Sequence, residues 1–205
     1  KPQENKKIVF IINNLTFLVS HRFKLVKAAE LNGYDIHIIC GKAHSEATES
    51  NAIKALSDEN ISFDRTQFSG NSKNLFTEAI GFFQIIYYLI KHRPSIVHCI
   101  SPKAILYGTL ACRFIFIKNI VIAISGLGFA HTESKKSYFE RFLIRSYEFF
   151  LKYSLKKNGI KMIVQNIDDR YFYEERIKFP KKNITLIPGS GVDLDLYKNI
   201  DLSIK

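Results

Sequence analysis

The sequence contains little cysteine and no long apolar run. Its three cysteines, Cys40, Cys99 and Cys112, include no CxxC pair, which argues against a disulfide framework or a zinc ribbon and favours a reducing, cytoplasmic compartment. No stretch approaches the roughly 20 apolar residues that a membrane-spanning helix needs, and residues 1–7 have no apolar signal core. Because the sequence does not open with Met, we expect it to be part of a longer protein.

Three common ligand-binding motifs are also missing. The turn after the first predicted strand, residues 13–21, contains no glycine, so it lacks the GxGxxG fingerprint that binds a dinucleotide. The P-loop and HExxH patterns do not occur either. A hydride-transfer enzyme that uses this first turn is therefore disfavoured.

The composition that remains is that of a globular domain with excess positive charge. Hydrophobic residues make up 46% of the 205 residues and charged residues 24%, which predicts a packed core in one large domain or two small ones. Lys and Arg total 30 against 19 Asp and Glu, a formal charge of +11. This excess favours an anionic partner, such as a phosphate-bearing ligand, nucleic acid or an anionic lipid surface, without choosing among them.

Apolar runs of strand length alternate with stretches of helical periodicity. Strands are predicted at 7–13, 34–40, 61–63, 95–100, 119–124, 161–164 and 183–187, and helices at 20–32, 45–60, 75–92, 103–117, 137–157 and 167–178. Strands that are hydrophobic throughout and separated by helices indicate a parallel sheet covered on both faces. The prediction is a doubly wound, Rossmann-like α/β domain of about seven strands with no internal boundary.

Ligands in such folds bind outside the carboxyl ends of the strands, so the turns there are the candidate sites. After the fourth predicted strand, Ser101 is placed to cap a helix that begins with Pro102, and Lys103 follows. A helix N-terminus beside a lysine can bind an anion. A capped helix with a solvated Lys103 and a core His98 is the alternative interpretation.

The next two strand ends are also polar. Ser125, Gly126 and Gly128 follow the fifth strand, where glycines permit close backbone approach, although an ordinary long loop has the same composition. After the sixth strand, Asn166 is predicted to cap a helix whose first turn carries Asp168.

The sequence gives little support for a metal site. Asp193 and Asp195 suggest a carboxylate pair, but no third ligand has a fitting spacing. No two of the six histidines stand four residues apart on a predicted helix. His37 alternates with Ile36 and Ile38 in a strand, which is typical of a core histidine. We expect no metal.

Several of these segments, in this order, resemble one family. The matching stretches are residues 17–29, 32–37, 98–103, 106–108, 125–128, 164–166 and 187–193. Together they resemble the N-terminal domain of a retaining GT-B glycosyltransferase of family 4, the group that builds bacterial capsule, O-antigen and lipid-linked oligosaccharide precursors.

The resemblance implies a domain organisation and an activity. Residues 1–192 would be a Rossmann-like acceptor-binding domain, residues 193–205 the start of the interdomain linker, and a donor-binding domain would lie beyond this sequence. The whole protein would transfer a sugar from a nucleotide sugar to a lipid-linked glycan, with no cofactor and no metal. The 205-residue chain alone is expected to be inactive.

The resemblance also implies roles for individual residues. Ser125 and Gly126 occupy the loop where many relatives place a catalytic-centre histidine or glutamate, so no protein nucleophile or base is evident. Ser190, Gly191 and Asp193 would lie near the donor. The residues expected to bind the acceptor are Asn13, Asn14, His21, Arg22, His98, Ser101, Lys103 and Gly128.

The predicted helix 137–157 raises the possibility of membrane contact. It carries aromatic residues at helical spacing beside a basic stripe of Arg141, Arg145, Lys152 and Lys156, and residues 131–182 contain 13 Lys and Arg against 7 Asp and Glu. Such a helix suits an anionic inner-leaflet surface, and the protein would then be cytoplasmic and peripheral at the inner membrane. Burial of the aromatic residues in the core is the alternative.

Two other functions remain open. The chain could be a non-catalytic, membrane-anchoring and acceptor-binding subunit of a split GT-B enzyme, whose donor half is another polypeptide. Nucleic-acid binding is suggested by the charge alone, and the sequence has no RNP, KH or helix-turn-helix signature, so we expect no nucleic-acid partner.

Overall fold

The computed structural model describes residues 6–42, 46–70, 74–126, 138–156 and 159–189. Within them, seven parallel strands form one sheet in the order β3-β2-β1-β4-β5-β6-β7. The strands are β1 (Lys7–Ile12), β2 (Asp35–Cys40), β3 (Ser62–Arg65), β4 (Ile96–Ile100), β5 (Ile120–Ile124), β6 (Ile160–Val164) and β7 (Ile184–Leu186). The helices are α1 (Leu15–Leu31), α2 (Glu46–Asp58), α3 (Leu75–His92), α4 (Pro102–Phe114), α5 (Tyr138–Leu155) and α6 (Ile167–Tyr171).

The core lies on both faces of the sheet because side chains alternate along each strand. Val9 and Ile11 of β1 belong to the cluster that packs under α3, α4 and α5. Phe10 and Ile12 face the other way and pack under α1 and α2. The predicted doubly wound α/β domain is therefore confirmed.

The strand order places a topological switch point between β1 and β4. The chain winds from β1 through β2 to β3 on one side and from β4 through β7 on the other. Ile12 pairs with Cys40 of β2 and with Ile100 of β4. A crevice opens at the carboxyl ends of strands at such a point, because the helices that follow them pack on opposite faces.

Helix α1 begins earlier than the sequence predicted. It starts at Leu15 rather than Ser20, with Asn14 as its N-cap, and the Asn14 side chain accepts a hydrogen bond of 2.8 Å from the Phe17 backbone N–H. The buried Glu49 carboxylate of α2 accepts a second one, 3.0 Å long, from the Leu15 N–H. The interpretation of Ser20 as the cap was wrong because two better acceptors serve the helix end one turn upstream.

The helix predicted at 167–178 also differs. Its α-helical part ends at Tyr171, and a π-helical turn, Phe172–Arg176, continues it. The wider turn carries both Phe172 and Tyr173 into the core. Asn166 caps α6, as predicted, by accepting a hydrogen bond of 2.7 Å from the Asp169 N–H.

Two glycines hold the turns at the carboxyl edge of the sheet together. A Cβ atom on Gly41 would lie 2.5 Å from the Asn13 carbonyl oxygen and 2.8 Å from that of Phe68. A Cβ atom on Gly81 of α3 would overlap the Phe68 backbone nitrogen. The turns after β1, β2 and β3 thus pack closely against one another and against α3.

Candidate functional site

Asn13 and Ser101 stand side by side at the switch point. They directly follow Ile12 and Ile100, which are paired neighbours in β1 and β4. Asn13 Oδ1 and Ser101 Oγ are buried, and neither has a hydrogen-bond partner among the residues that the structure describes. Because a buried polar atom without a partner is costly, this edge of the sheet is suited to a ligand with hydroxyl or amide groups.

Ser101 adopts a backbone conformation that serine rarely has. Its φ of 82° and ψ of 149° belong to a region that costs a non-glycine residue about 1–3 kcal/mol and is found most often at functional sites. Ser101 occupies the N-cap position of α4, and Pro102 begins the helix as predicted, but no capping hydrogen bond from the Ser101 side chain is formed within the described residues. The predicted capping role of Ser101 was therefore wrong.

A buried histidine and a buried arginine lie behind this edge, close enough for the charge of the arginine to act on the histidine. His98 of β4 stacks on Phe10 with ring centroids 5.1 Å apart. Burial, and then the charge of Arg22 on α1, lower the pKa of His98 to about 4, so its ring is neutral at physiological pH. Burial lowers the pKa of the Arg22 guanidinium as well. A fixed positive charge beside a neutral imidazole is an arrangement that can bind an anionic group.

Glu78 connects the turn after β3 to α4. Its buried carboxylate accepts hydrogen bonds from the Ser69 N–H at 3.1 Å and from the Tyr107 hydroxyl at 2.7 Å, and it lies 3.2 Å from Lys103 Nζ. Lys103 also donates to the Ser69 carbonyl at 2.6 Å. The charge of Lys103 is therefore paired with Glu78. Its environment matches neither interpretation from the sequence, an anion site at the helix N-terminus or a solvated lysine.

Residues 7–166 match the family model of glycosyl transferase 4-like domains. The chain belongs to this family. The expectation drawn from the sequence is thereby confirmed for the family and, with the seven-stranded sheet, for a fold that matches one GT-B domain. No curated protein sequence matches the chain.

Solved structures share the fold of this glycosyl transferase 4-like domain at low sequence identity. A glycosyltransferase from Rickettsia africae is 18% identical with a TM-score of 0.64, and the match covers 98% of this chain and 47% of that one. Sucrose-phosphate synthase from Thermosynechococcus elongatus is 15% identical with a TM-score of 0.63, over 93% and 49%. UDP-GlcNAc 2-epimerase from Neisseria meningitidis is 11% identical with a TM-score of 0.61, over 90% and 47%. The chain spans about half the length of these structures.

The other predicted site residues of the glycosyl transferase 4-like domain lie on α1, directly after β5, or outside the described residues. Asn14 caps α1, and His21 is exposed, stacks on Phe17 at 4.5 Å and lies 2.7 Å from Ser20 Oγ through its Nδ1. Ser125 is exposed at the end of β5, which neighbours β4, and Gly126 follows with a φ of 127°. Gly128, Ser190, Gly191, Asp193 and the proposed linker 193–205 lie outside the described residues.

The outer surface of α5 combines basic and aromatic side chains. Arg141, Arg145 and Lys156 are exposed, and Lys152 is half-buried. Among the side chains of this helix that the structure describes, the exposed aromatic ones are Tyr138, Phe142, Phe149, Phe150 and Tyr153. Tyr147 of the same helix instead packs against the core, with its hydroxyl 3.4 Å from the Pro102 carbonyl oxygen.

Sequence reasoning missed a second exposed apolar surface, on α3. The stripe consists of Phe76, Ile80, Phe83, Tyr87 and Ile90, which are between 37% and 74% exposed. Their alternating spacing of four and three residues is the signal that could have revealed them, since the opposite side of α3 is apolar as well. Helices α3, α4 and α5 lie side by side, and Phe82 and Phe114 connect the first two with ring centroids 6.1 Å apart. None of the helices described is long and apolar enough to cross a membrane.

Potential metal ligands gather away from the crevice. His37 of β2, Asp64 of β3 and His92 at the end of α3 form one group of three such side chains, the only one found in the part of the chain that the structure describes. The sequence treated His37 as a core histidine, and it is indeed buried. The contacts with Asp64 and His92 come from residues 27 and 55 positions along the chain, and no local pattern predicts them.

Proposed function

We propose that this domain is the acceptor-binding half of a glycosyltransferase that takes its sugar from a nucleotide sugar. The observation that carries the proposal is the switch-point crevice, where Asn13 and Ser101 present buried polar atoms beside the Arg22 and His98 pair. Membership of the glycosyl transferase 4-like family supports the reaction class. The Neisseria epimerase, which shares the fold, was solved with UDP-GlcNAc bound, and this supports a nucleotide sugar as one substrate.

The chemistry of the crevice suits a phosphorylated glycan acceptor. The Arg22 guanidinium can donate two parallel hydrogen bonds to a phosphate, which contribute more than neutral hydrogen bonds do. Asn13 Oδ1 can accept from a sugar hydroxyl, and Ser101 Oγ can donate or accept. Ser125 is exposed at the end of β5, which neighbours β4, and we assign it no role as nucleophile or general base. A site without such a group is compatible with a retaining reaction that depends on positioning and on the donor phosphate.

Our proposal assigns the donor to the second half of the enzyme. The domain spans about half of the related structures, so a second domain would contribute the nucleotide-sugar site, with Ser190, Gly191 and Asp193 close to the donor. Transfer would then need both halves, and neither a cofactor nor a catalytic metal enters the scheme. A lipid-linked acceptor in bacterial surface polysaccharide synthesis, of the capsule or O-antigen type, follows from the resemblance of the sequence.

Arg22 should be required for acceptor use by the full-length protein. Removing its charge-assisted hydrogen bonds in Arg22→Gln should lower kcat/KM for transfer by about 10- to 100-fold, which corresponds to a loss of about 1.5–3 kcal/mol of binding energy. Incorporation of labelled sugar from a panel of nucleotide sugars into a membrane lipid extract measures the effect. Arg22→Lys, which keeps the charge but not the fork, should fall between.

Lys54→Gln is the matched control, because Lys54 is an exposed cation on α2. It should leave transfer unchanged, and far-UV circular dichroism checks that each variant is folded. Equal transfer by the Arg22→Gln and wild-type proteins would contradict the role given to the crevice. Epimerisation of the nucleotide sugar without any transfer would contradict the proposed reaction itself.

We further propose that the surface formed by α3, α4 and α5 rests on an anionic membrane. Exposed aromatic side chains on α3 and α5 can insert at the headgroup level, while Arg141, Arg145 and Lys156 attract anionic lipid. The positive charge of the chain, +11, supports the same partner. The protein would then be peripheral at the cytoplasmic face of the inner membrane, close to a lipid-linked acceptor.

Vesicle co-sedimentation tests this membrane contact. The protein should bind vesicles with anionic lipid more tightly than neutral ones, and Arg141→Gln with Arg145→Gln should weaken that binding about 30-fold, since each of the two basic residues contributes about 1 kcal/mol. Lys42→Gln with Lys54→Gln, which removes two exposed charges elsewhere, is the control. Equal binding to anionic and neutral vesicles at moderate salt would rule the contact out.

A further inference from the structure

Two histidines share one carboxylate oxygen at the edge of the sheet. His37 Nε2 lies 2.8 Å from Asp64 Oδ2, and His92 Nε2 lies 2.7 Å from the same atom. The two imidazole rings are stacked with centroids 3.6 Å apart. All three ligand atoms are within 4.8 Å of one another, so two nitrogens and one oxygen from three separate elements lie close together.

The cluster is sheltered and its orientation is fixed. The exposed fractions of the side chains are 6% for His37, 13% for His92 and 19% for Asp64. The other ring nitrogen of His37, Nδ1, lies 2.8 Å from Ser62 Oγ. A histidine that binds a metal through one nitrogen is usually held by a hydrogen bond at the other, and this partner sets the tautomer and the ring orientation.

We propose that His37, Asp64 and His92 form a binding site for a zinc-type divalent cation, with the fourth position open to water. Two imidazole nitrogens and a carboxylate are a ligand set that Zn²⁺ and its first-row neighbours accept, whereas Mg²⁺ and Ca²⁺ prefer oxygen ligands. This site lies under the last turn of α3 and is distinct from the crevice, so it has no part in the transfer reaction proposed above.

Binding an ion requires two local adjustments: the stacked rings, now 24° apart in their planes, must turn so that the ion lies in the plane of each, and the ligand atoms must move apart. Tetrahedral ligands at about 2.0–2.2 Å from Zn²⁺ lie roughly 3.4 Å from one another, so each N···O distance must open by about 0.6 Å. Without metal, Asp64 Oδ2 lies within hydrogen-bond distance of both Nε2 atoms. An ion would bind each Nε2 in the tautomer that carries its proton on Nδ1, and the Nδ1–H of His37 would then donate to Ser62 Oγ.

Lys91 opposes the ion and provides a diagnostic test. Its Nζ lies 3.8 Å from Asp64 Oδ1, so its charge stabilises the metal-free carboxylate and repels an incoming cation. If the cluster binds a metal, Lys91→Gln should increase its affinity. If the cluster is only a hydrogen-bonded network, the same substitution has no metal-dependent effect.

A bound ion should stabilise the packing of α3 against the edge of the sheet. The three ligands come from β2, from the edge strand β3 and from the final turn of α3. An ion that binds the folded chain more tightly than the unfolded chain raises stability in proportion to the logarithm of its concentration. Zinc should therefore raise the melting temperature of the protein, and a chelator should reverse this rise.

Calorimetric titration of untagged, chelator-treated protein with ZnCl2 tests the site. We expect one equivalent bound by the wild type, with visible d–d bands when CoCl2 replaces ZnCl2 and no response to MgCl2. Asp64→Asn and His92→Gln should weaken zinc binding at least 100-fold, and Ser62→Ala about tenfold or more. Lys91→Gln should tighten it several-fold.

Two control variants remove an exposed histidine or an exposed carboxylate: His21→Gln and Asp58→Asn. Both proteins should bind zinc as the wild type does. Circular dichroism in the absence of metal shows whether each variant is folded. If a ligand variant does not fold, Ser62→Ala and Lys91→Gln still test the site, because neither substitution removes a ligand. Failure of the wild type to bind one equivalent of zinc would overturn the proposal. Equal zinc affinity of the wild-type and folded Asp64→Asn proteins would do the same.

Discussion

Replacement of Glu78 by alanine should lower the free energy of unfolding by about 3 kcal/mol. The Glu78 carboxylate is 6% exposed and accepts hydrogen bonds from the Ser69 N–H and the Tyr107 hydroxyl while facing Lys103 at 3.2 Å. Its removal leaves a sheltered lysine without its carboxylate partner and the Tyr107 hydroxyl without its acceptor. For a domain of this size, the melting temperature should fall by roughly 6–12 °C.

Two further variants test whether the Glu78 carboxylate itself causes this loss of stability. Glu78→Gln keeps the volume and the acceptor for the Ser69 N–H, so it should lose less stability than Glu78→Ala. Asp58→Ala removes an exposed carboxylate from the end of α2 and should have little effect. If thermal unfolding showed the same melting temperature for Glu78→Ala and Asp58→Ala, Glu78 would not hold the turn after β3 in place.

His98 should make the domain less stable in mild acid. Its pKa is about 4 in the folded chain, against an ordinary value of 6.5. Between these two values the unfolded chain binds a proton that the folded chain refuses, so stability rises with pH across this window. The contribution is fully present above pH 6.5 and is lost as the pH falls to 4, by about 3 kcal/mol in total.

Urea unfolding at a series of pH values measures this contribution. Carboxylates also titrate in part of the range, but they do so equally in a His98→Leu variant. The free energy of unfolding of His98→Leu should therefore fall about 3 kcal/mol less than that of the wild type between pH 6.5 and 4. His21→Asn, which removes an exposed histidine, should keep the steeper wild-type profile. Parallel profiles for the wild-type and His98→Leu proteins would mean that His98 is not buried in its neutral form.

The fold was predictable because its signals are local. Each strand is a short apolar run, and α3 was predicted with its exact limits, Leu75–His92, because this run is strongly apolar and Pro94 follows it. The structure adds Asn74 as the N-cap of α3. The beginning of α1 was not predictable in the same way. Asn14 and Ser20 are both capable caps, and the buried Glu49, 34 residues away, completes the helix end at Leu15.

The candidate site was predictable in outline. Ser101 was selected because parallel strands place their carboxyl ends together, and Asn13 and His98 were selected from the family resemblance. The structure places all three at or just behind the β1–β4 edge. Their roles in binding stay predictions. The partner of Lys103 was not foreseeable, since Glu78 reaches it from a different helix, and neither was the depth at which Arg22 is buried beside His98.

The sequence alone determined the order of strands and helices along the chain, the parallel sheet, the family resemblance and the excess of positive charge. Periodicity and caps are signals of a few neighbouring residues, and charge is a matter of composition, so none of them depends on tertiary contacts. Only the tertiary structure decided which side of α3 is exposed and which polar atoms at the switch point have no partner within the described chain. It alone brought His37, Asp64 and His92 together, across separations of 27 and 28 residues. Such contacts depend on how strands and helices pack against one another, and no local pattern in the sequence encodes that packing.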